Sequence, residues 1–272
     1  MADTRQSTVG IVLLYPNLLG TYGDGGNAQV LLQRLRWRGI DAELVTVDAG
    51  DPVPDSGDLY LFGGGEDGPQ TEAARALNES RAVHRAVERG ATVFAVCAGL
   101  QIVGTTFADK TGQPVAGLGL LDCQTVKTDE PRAVGELLVD PGPEWPGLGR
   151  LTGFENHGGR TRLGPDAASL GPVTAGVGNG WGVEGVLPAH RSAGTGTVLG
   201  TYLHGPALAR NPRLADLLLG WVLDIDPADL APLNDADHEA ELLRRERFRA
   251  VEAGHLDGVA TRTMKDRLLR RN

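Results

Sequence analysis

The chain has 272 residues, of which 41 % are hydrophobic and 22 % are charged, as is ordinary for a globular protein. Its formal net charge of −9 disfavours a general affinity for nucleic acid phosphates or anionic lipid headgroups. No apolar run approaches the ~20 residues of a membrane span, and the N-terminus shows no signal-peptide pattern. We therefore expect a cytoplasmic protein that is not an integral membrane protein.

The first part of the chain alternates apolar, strand-like runs with amphipathic helices. The spacing of Val30, Leu31, Leu35 and Trp37 predicts one apolar face on a helix that stops at Gly39. Strands are predicted within 7–16, 41–48, 58–62 and 92–96, with helices over 27–39 and 71–91. This alternation predicts an α/β fold with a mostly parallel sheet flanked by helices.

Beyond about Gly117 the pattern changes to short strands separated by Gly- and Pro-rich turns. Strand candidates lie at 134–140, 151–157, 182–188 and 197–205, and an amphipathic helix is predicted over 211–224. We expect one main domain over 1–230 and a charged helical extension over 231–272. That extension is either a solvated helical tail or a docking element for a partner.

Cys97 stands at the end of the apolar run "TVFAV", followed by the small residues Ala98 and Gly99. This spacing is typical of a nucleophile elbow, in which a sharp strand-to-helix turn exposes the side chain above the sheet. The following helix would favour a thiolate, and the Ala98 amide would face an oxyanion. The alternative is a buried, inert cysteine, which is our interpretation of Cys123.

Two further features add to the cysteine turn. The tip "GGG" after the preceding strand could supply a second oxyanion donor from Gly64 or Gly65. His204 ends a late strand-like run and is the best candidate for a base. Gln101 lies one helical turn past Cys97, near enough to touch a substrate.

The remaining histidines are weaker candidates for a catalytic role. His84 and His238 lie in charged helical segments and are expected to face solvent, and His190 lies in a loop. His157, in "FENHGGRT", could bind a ligand or form a hydrogen bond within a turn. His255 lies in the charged tail. The spacing of cysteines and histidines predicts no metal site, and we interpret "GDGGN" as a permissive loop near the site or a partner surface.

Several segments in order resemble the class I glutamine amidotransferases, and more closely their CobB/CobQ-like branch. They span residues 15–40, "FGGGEDGPQ", "VCAGLQ", "GFENHGGRT" and "TYLHGP". Within that branch they are similar to the GatD-type glutaminase subunits of lipid II isoglutaminyl synthases. The resemblance covers about residues 8–225 and implies a flavodoxin-like glutaminase fold.

The resemblance implies that Cys97 attacks the side-chain carboxamide of L-glutamine while amides near Ala98 and Gly64 or Gly65 hold the oxyanion. His204 would protonate the leaving ammonia and then activate water. The ammonia would pass to a MurT-like Mur ligase subunit, in a heterodimer that amidates D-glutamate of lipid II for peptidoglycan synthesis. ATP is expected on that partner and no cofactor in this chain, and the complex would work at the inner face of the membrane.

Two assignments implied by the resemblance remain open. Arg132 is placed where the family holds the α-carboxylate of glutamine, although it could be a solvated loop arginine, and Arg160 is a second candidate. The class usually carries a carboxylate two residues after its histidine, where this chain has Pro206. We expect the third catalytic residue to come from the partner, with Glu184 or Asp216 as alternatives within the chain.

Other functions compete with this interpretation. The chain could be the glutaminase of cobyric acid amidation or of pyridoxal phosphate synthesis, although the cobalamin enzymes normally carry an ATP-binding domain before the glutaminase strand. It could also be a peptidase on a related scaffold, or a non-catalytic module that holds an anion in its glycine-rich loops.

Overall fold

The computed structural model describes residues 8–20, 23–190 and 194–254. Within these ranges the strands are β1 (Val9–Leu14), β2 (Ala42–Val47), β3 (Leu59–Phe62), β4 (Thr92–Val96), β5 (Thr106–Ala108), β6 (Pro114–Ala116), β7 (Cys123–Lys127), β8 (Ala133–Val139), β9 (Leu151–His157), β10 (Gly159–Leu163), β11 (Ala167–Ala168), β12 (Gly171–Ala175), β13 (Val183–Glu184), β14 (Leu187–Pro188) and β15 (Val198–Thr201). The helices are α1 (Gly26–Trp37), α2 (Asp67–Ser80), α3 (Ala82–Glu88), α4 (Ala98–Val103), α5 (Ala207–Arg210), α6 (Pro212–Leu223) and α7 (Asn234–Glu252), with a 3₁₀ turn at Pro227–Asp229.

The centre of the molecule is a five-stranded sheet in the order β15-β4-β3-β1-β2, and all of its strand pairs are parallel. Strands β3, β4 and β15 are buried along their whole length and β1 nearly so, as their continuous apolar runs require. Helices flank this sheet. The predicted α/β fold with a mostly parallel sheet is confirmed.

Helix α1 packs on β1 and β2, but its apolar face differs from the predicted one. Leu31 and Leu35 are fully buried, whereas Trp37 is 55 % exposed and Val30 is only partly buried. The helical repeat of 3.6 residues turns position 37 away from positions 31 and 35, so that Ala28 and Leu32 complete the buried face.

The segment predicted as one helix over 71–91 forms two helices that meet at Arg81. This residue adopts a left-handed conformation (φ 56°) that ends α2 and begins α3. The turn rotates α3 so that His84 is 7 % exposed and its Nε2 contacts the Leu118 carbonyl oxygen at 2.8 Å. The expectation that His84 faces solvent is therefore wrong.

The second half of the chain adds smaller sheets of mostly antiparallel strands. One has the order β13-β12-β8-β9 and the other β10-β7-β5-β6. In the first, β8 and β9 pair over seven residues each, from Ala133 opposite His157 to Val139 opposite Leu151. The stretch predicted as a strand at 182–188 forms only the two-residue strands β13 and β14. The first of these sheets meets the chain just after β15, where Phe154 of β9 pairs with His204.

The charged C-terminal segment forms the helix α7, as predicted, and this helix docks on the body through buried ion pairs. The Arg34 guanidinium, 4 % exposed, bridges Asp216 on α6 and Asp237 on α7, each at 2.6 Å. Arg244 of α7 is also buried and donates a hydrogen bond to the Arg150 carbonyl. The part of the tail predicted over 255–272 lies outside the described residues.

Candidate active site

Four chain segments meet at the carboxyl-terminal edge of the parallel sheet. They follow β1, β3, β4 and β15, and they carry Asp24, the glycines 63–65, Cys97 and His204 respectively. Strand β2 lies on one side of β1, whereas β3, β4 and β15 follow on the other side. The direction in which successive strands are added therefore reverses beside β1. Ligands of open α/β sheets bind at such a switch point.

Cys97 forms the turn between β4 and α4. Its backbone has φ 53° and ψ −106°, a conformation that a residue with a Cβ rarely adopts. Gly99 makes the turn possible because a Cβ there would lie 2.5 Å from Phe62 Cβ. Strain of this kind is held in place by the surrounding fold and is typical of functional residues. The predicted nucleophile-elbow geometry is present.

His204 is held through its backbone and through its side chain. The backbone pairs with Phe154 of β9, where the His204 amide donates to the Phe154 carbonyl at 2.8 Å. Its Nδ1 donates to the Asp24 carboxylate, 2.9 Å from Oδ2 and 3.2 Å from Oδ1. His204 is 1 % exposed and Asp24 2 % exposed. Since a carboxylate accepts only, this contact sets the tautomer and leaves Nε2 for the cysteine.

The electrostatics of the site favour an ion pair. Burial lowers the pKa of His204, but hydrogen bonds and charges from Asp24 and Cys97 outweigh burial and raise this pKa to about 10. The imidazole is therefore protonated at neutral pH. The imidazole is also in hydrogen-bonding contact with Cys97, which is the arrangement in which a histidine serves a cysteine nucleophile.

Asp24 corrects our expectation for the third catalytic residue. The in-chain alternatives lie elsewhere: Glu184 accepts hydrogen bonds from Thr201 Oγ1 and the Tyr202 amide, and Asp216 binds Arg34. A carboxylate of this same chain occupies the position beside His204 that we assigned to the partner. The residue belongs to the "GDGGN" loop, whose acid after the β1 edge was the signal available in the sequence.

The triple glycine serves close packing as well as ligand approach. A Cβ at Gly63 would lie 2.0 Å from the Leu19 carbonyl oxygen, so only glycine lets the Asp24 loop cross this tip. The Gly64 amide donates to Asp24 Oδ2 at 2.9 Å, so it would have to give up this hydrogen bond to serve as an oxyanion donor, and that role stays a prediction. Gly65 and Ala98 line the cavity beside Cys97 and stay the predicted donors.

A cavity of about 270 Å³ opens above Cys97. Its rim carries both signs of charge, with carboxylates close to basic side chains. A site that binds a free amino acid needs both signs of charge, because the ammonium and carboxylate groups of the amino acid are bonded to the same carbon atom. The lining residues are Gly65, Glu66, Asp67, Gln70, Cys97, Ala98, Gln101, Ala108, Asp109, Thr125, Val126, Lys127, Thr128, Glu130, Arg132, His157, Gly158 and Gly159.

Gln101 lines this cavity within a buried network. Gln70 Nε2 donates to Gln101 Oε1 at 2.8 Å, and Gln101 Nε2 donates to the Tyr202 hydroxyl at 3.2 Å. Tyr202 also bonds Thr161 Oγ1 at 2.7 Å. Both ends of the Gln101 amide are thus held by protein groups. Its predicted contact with substrate stays a prediction. Sequence reasoning did not single out Gln70, which lines the cavity, or Tyr202, which is fully buried beside Gln101.

His157 makes the contact within a turn that was one of its two predicted roles, and ligand binding stays a prediction. Its ring stacks on Tyr202 with centroids 3.8 Å apart, and its Nδ1 lies 3.0 Å from the Gly159 carbonyl oxygen, within the turn. Burial lowers the pKa of His157, opposed by Glu155, whose Oε2 lies 3.3 Å from Nε2. The residue turns inward and forms part of the cavity wall.

The two candidate arginines differ in position. Arg132 lies at the cavity rim, exposed, with its Nε donating to Asn156 Oδ1 at 2.6 Å. Arg160 is 5 % exposed and donates to the carbonyls of Gly158, Gly159 and Pro131. Arg160 thus shapes the turn below the cavity, and Arg132 remains the predicted clamp for a carboxylate.

A cysteine on a strained elbow, beside an imidazole oriented by a carboxylate, is the arrangement typical of cysteine-dependent acyl-transfer enzymes on α/β scaffolds. Residues 10–212 match the CobB/CobQ-like glutamine amidotransferase domain. The chain belongs to this family and is a glutamine-hydrolysing enzyme.

Curated relatives agree with this assignment. The chain is similar to the lipid II isoglutaminyl synthase (glutamine-hydrolysing) subunit GatD of Staphylococcus aureus, at 32 % identity over 82 % of this chain and 88 % of that protein. The GatD subunit of Streptococcus pneumoniae is 31 % identical over 78 % of this chain and 80 % of that protein. A cobyric acid synthase of Methylorubrum populi is 32 % identical over 78 % of this chain but only 40 % of its own length.

Solved structures show the same fold. A glutamine amidotransferase matches with a TM-score of 0.50 and 23 % identity over 78 % of this chain and 98 % of that chain. Another, from Thermotoga maritima, has a TM-score of 0.50 and 14 % identity over 87 % of this chain and 93 % of that chain. None of the helices within the described ranges has the length and apolar character needed to cross a membrane.

Proposed function

We propose that this chain is the glutaminase subunit of a lipid II isoglutaminyl synthase, and that it supplies ammonia to a MurT-like Mur ligase subunit. The observation that carries the proposal is the Cys97–His204–Asp24 arrangement, whose cysteine lines a cavity with both signs of charge on its rim. The names of the two GatD relatives support the particular pathway.

The first half of the reaction forms a thioester. The Cys97 thiolate attacks the side-chain carbonyl of L-glutamine, and the amides of Gly65 and Ala98 stabilise the tetrahedral oxyanion. His204 gives its Nε2 proton to the departing nitrogen, so the C–N bond breaks and ammonia leaves. A γ-glutamyl thioester remains on Cys97, and Arg132 holds the α-carboxylate of the substrate.

The second half restores the enzyme. His204, now neutral at Nε2, takes a proton from water as the water oxygen attacks the thioester carbonyl. The C–S bond breaks, L-glutamate leaves, and Cys97 returns to the thiolate paired with the imidazolium. Asp24 accepts the hydrogen bond from Nδ1 and keeps the imidazole in one orientation.

The ammonia is used by the partner. A MurT-like subunit would bind ATP, activate the α-carboxylate of D-glutamate in the lipid II stem peptide, and form D-isoglutamine from it. In this arrangement no cofactor resides in the present chain, and the heterodimer works in the cytoplasm at the inner face of the membrane, in cell wall biogenesis.

The test is reconstitution with the ligase subunit. The chain is co-purified with a MurT-like protein, and amidation of lipid II is followed by mass spectrometry with ATP and either glutamine or an ammonium salt. We expect glutamine-dependent amidation with the wild-type chain. With Cys97→Ser, we expect amidation from ammonium alone, because only ammonia production is lost.

The controls separate the ammonia source from the ligase. Cys123→Ser should behave as wild type, because Cys123 is buried away from the cavity and burial raises the pKa of its thiol to about 12. If the complex amidates lipid II with ammonium but never with glutamine, the proposed role in ammonia supply is wrong.

Cobyric acid amidation is the second candidate. The similarity to cobyric acid synthases supports it, although the chain spans less than half of that relative. Both candidates share the glutaminase chemistry and differ in the acceptor. Glutamine-dependent amidation of a corrinoid carboxylate by the chain with its ligase, and none of lipid II, would favour this candidate.

A further inference from the structure

The second residue after His204 is Pro206, where a carboxylate stands in the wider class, yet a carboxylate still reaches the imidazole. Asp24 lies 180 residues before His204 in the chain, on the loop after β1. Each group is carried by a short turn beyond the end of its strand. A hydrogen bond between two such turns keeps its geometry only if other contacts hold the turns together.

One contact is between Gly26, two residues past Asp24, and Pro206, two residues past His204. A Cβ built on Gly26 would lie 2.4 Å from Pro206 Cγ and 3.3 Å from Pro206 Cβ. The Pro206 ring therefore rests directly on the backbone of the Asp24 turn. The backbone of Gly26 is in the helical region, so close approach and not positive φ excludes a larger residue there.

The second contact joins Asn27, the residue after Gly26, to Leu208, two residues after Pro206. The Asn27 side chain, 1 % exposed, accepts a hydrogen bond from the Leu208 amide at 2.9 Å through Oδ1. Leu208 lies in α5, whose own N-cap residue Pro206 gives no side-chain hydrogen bond. Asn27 thus acts as the cap of α5 from another part of the chain.

We propose that Gly26, Asn27 and Pro206 form an inter-loop clamp that sets the Asp24 carboxylate against His204. The clamp residues are positioning residues, because they touch neither substrate nor Cys97. Pro206 stands where the wider class has its acid, and its ring packs against the loop that carries Asp24. This loop comes from near the start of the chain and supplies the carboxylate that contacts His204. This proposal rests on the proposed glutaminase function.

The test is one substitution that forces the Asp24 and His204 turns apart, and a second that relieves the clash so that the turns can pack together again. Gly26→Ala places a methyl group against Pro206 and should push the Asp24 turn away. We expect kcat for glutamine hydrolysis to fall about 100-fold, as for a displacement of about 1 Å, with KM changed less than about threefold. Gly26→Ala combined with Pro206→Ala, which removes Cγ, should return kcat to within about threefold of Pro206→Ala alone.

A second readout does not depend on glutamine. The rate of Cys97 alkylation by iodoacetamide at neutral pH reports the thiolate that the oriented imidazolium stabilises. It should fall on the order of tenfold in Gly26→Ala and recover in the double variant. Mass spectrometry assigns the labelled residue. Asn27→Ala should lower the rate in the same direction, whereas Asn27→Asp retains the acceptor oxygen and should restore most of it.

Gly57→Ala is the matched control. A Cβ at Gly57 would lie 2.5 Å from a Val12 methyl carbon, a similar clash at the opposite end of the sheet. We expect it to lower stability without changing the alkylation rate. The clamp is rejected if Gly26→Ala alkylates as fast as wild type, or if the double variant is as slow as Gly26→Ala. Failure of the glutaminase function would appear differently, as a wild-type chain that alkylates rapidly but releases no ammonia.

Discussion

Asp24 is the residue whose role depends most on the folded structure. Replacing it with asparagine keeps the size of the side chain but lets its amide donate to Nδ1, which favours the wrong imidazole tautomer. We expect kcat for ammonia release to fall by about 10³- to 10⁴-fold with little change in KM. Asp216→Asn, at the alternative carboxylate, should leave kcat within about twofold; equal losses in the two variants would refute the assignment of Asp24.

Arg132 is the residue-scale test of substrate binding. Loss of a charged hydrogen-bond partner at a rim site costs about 1.5–3 kcal/mol, so Arg132→Ala should raise KM for glutamine by about 10- to 100-fold. Its kcat should change little, because the guanidinium binds the end of the substrate that does not react. Arg132→Lys should recover part of the affinity. Steady-state kinetics of ammonia release decide this, and an unchanged KM would remove the assignment.

Glu184 provides a pH-dependent prediction. Its burial raises its pKa from 4.5 to about 7, opposed by the hydrogen bonds from Thr201 and Tyr202. The folded protein therefore holds a proton there that the unfolded chain releases above pH 4.5. The contribution of Glu184 to the free energy of unfolding is fully present below pH 4.5. It decreases as the pH rises to about 7, by at most about 1.4 kcal/mol per pH unit.

Glu184→Gln keeps the oxygen that accepts both hydrogen bonds but cannot titrate. Because only the wild-type protein loses stability through this group, we expect the free energy of unfolding of Glu184→Gln minus that of wild type to increase as the pH rises from 4.5 to 7. Urea denaturation at several pH values measures the difference between the two proteins. A constant difference across this range would mean that the Glu184 carboxyl titrates normally in the folded state.

At the scale of elements, helix α7 is held by the ion pairs that Arg34 makes with α6 and α7. Arg34→Ala leaves the part-exposed Asp237 without this partner, whereas Asp216 keeps its ion pair with Arg38 at 2.9 Å. We therefore expect a cost of about 2 kcal/mol in urea unfolding. Arg245→Ala removes an exposed pair with Glu241 on α7, in which both side chains are over 40 % exposed, and should cost less than about 1 kcal/mol. Equal costs would mean that α7 contributes little through Arg34.

The elements also show the limits of local patterns. The strand β4, the turn at Cys97 and helix α4 form from one short stretch of sequence, and their positions agree with its apolar run and small residues. The break at Arg81 is different, because no proline or glycine marks the residue that adopts the left-handed conformation. The same holds for Trp37, whose spacing resembles an apolar face although the sheet lies on the other side.

At the scale of the whole molecule, one chain contains the cysteine, the histidine and the carboxylate. We therefore expect the isolated chain to release ammonia from glutamine without a ligase subunit, and Cys97→Ser to lose that activity. A coupled glutamate dehydrogenase assay on the purified chain measures it. Activity that appears only after a ligase subunit is added would mean that the partner completes the site, as our sequence-based hypothesis held.

The sequence by itself determined the parallel sheet, the cysteine elbow and the late histidine, because each depends on apolar periodicity and small residues within about ten positions. Only the tertiary structure decided that Asp24 serves His204, that the Gly64 amide is occupied, and that Arg160 turns inward. These contacts join residues from 40 to 180 positions apart or depend on packing around them. They follow from the strand order β15-β4-β3-β1-β2, which brings distant loops to one edge and which local periodicity does not encode.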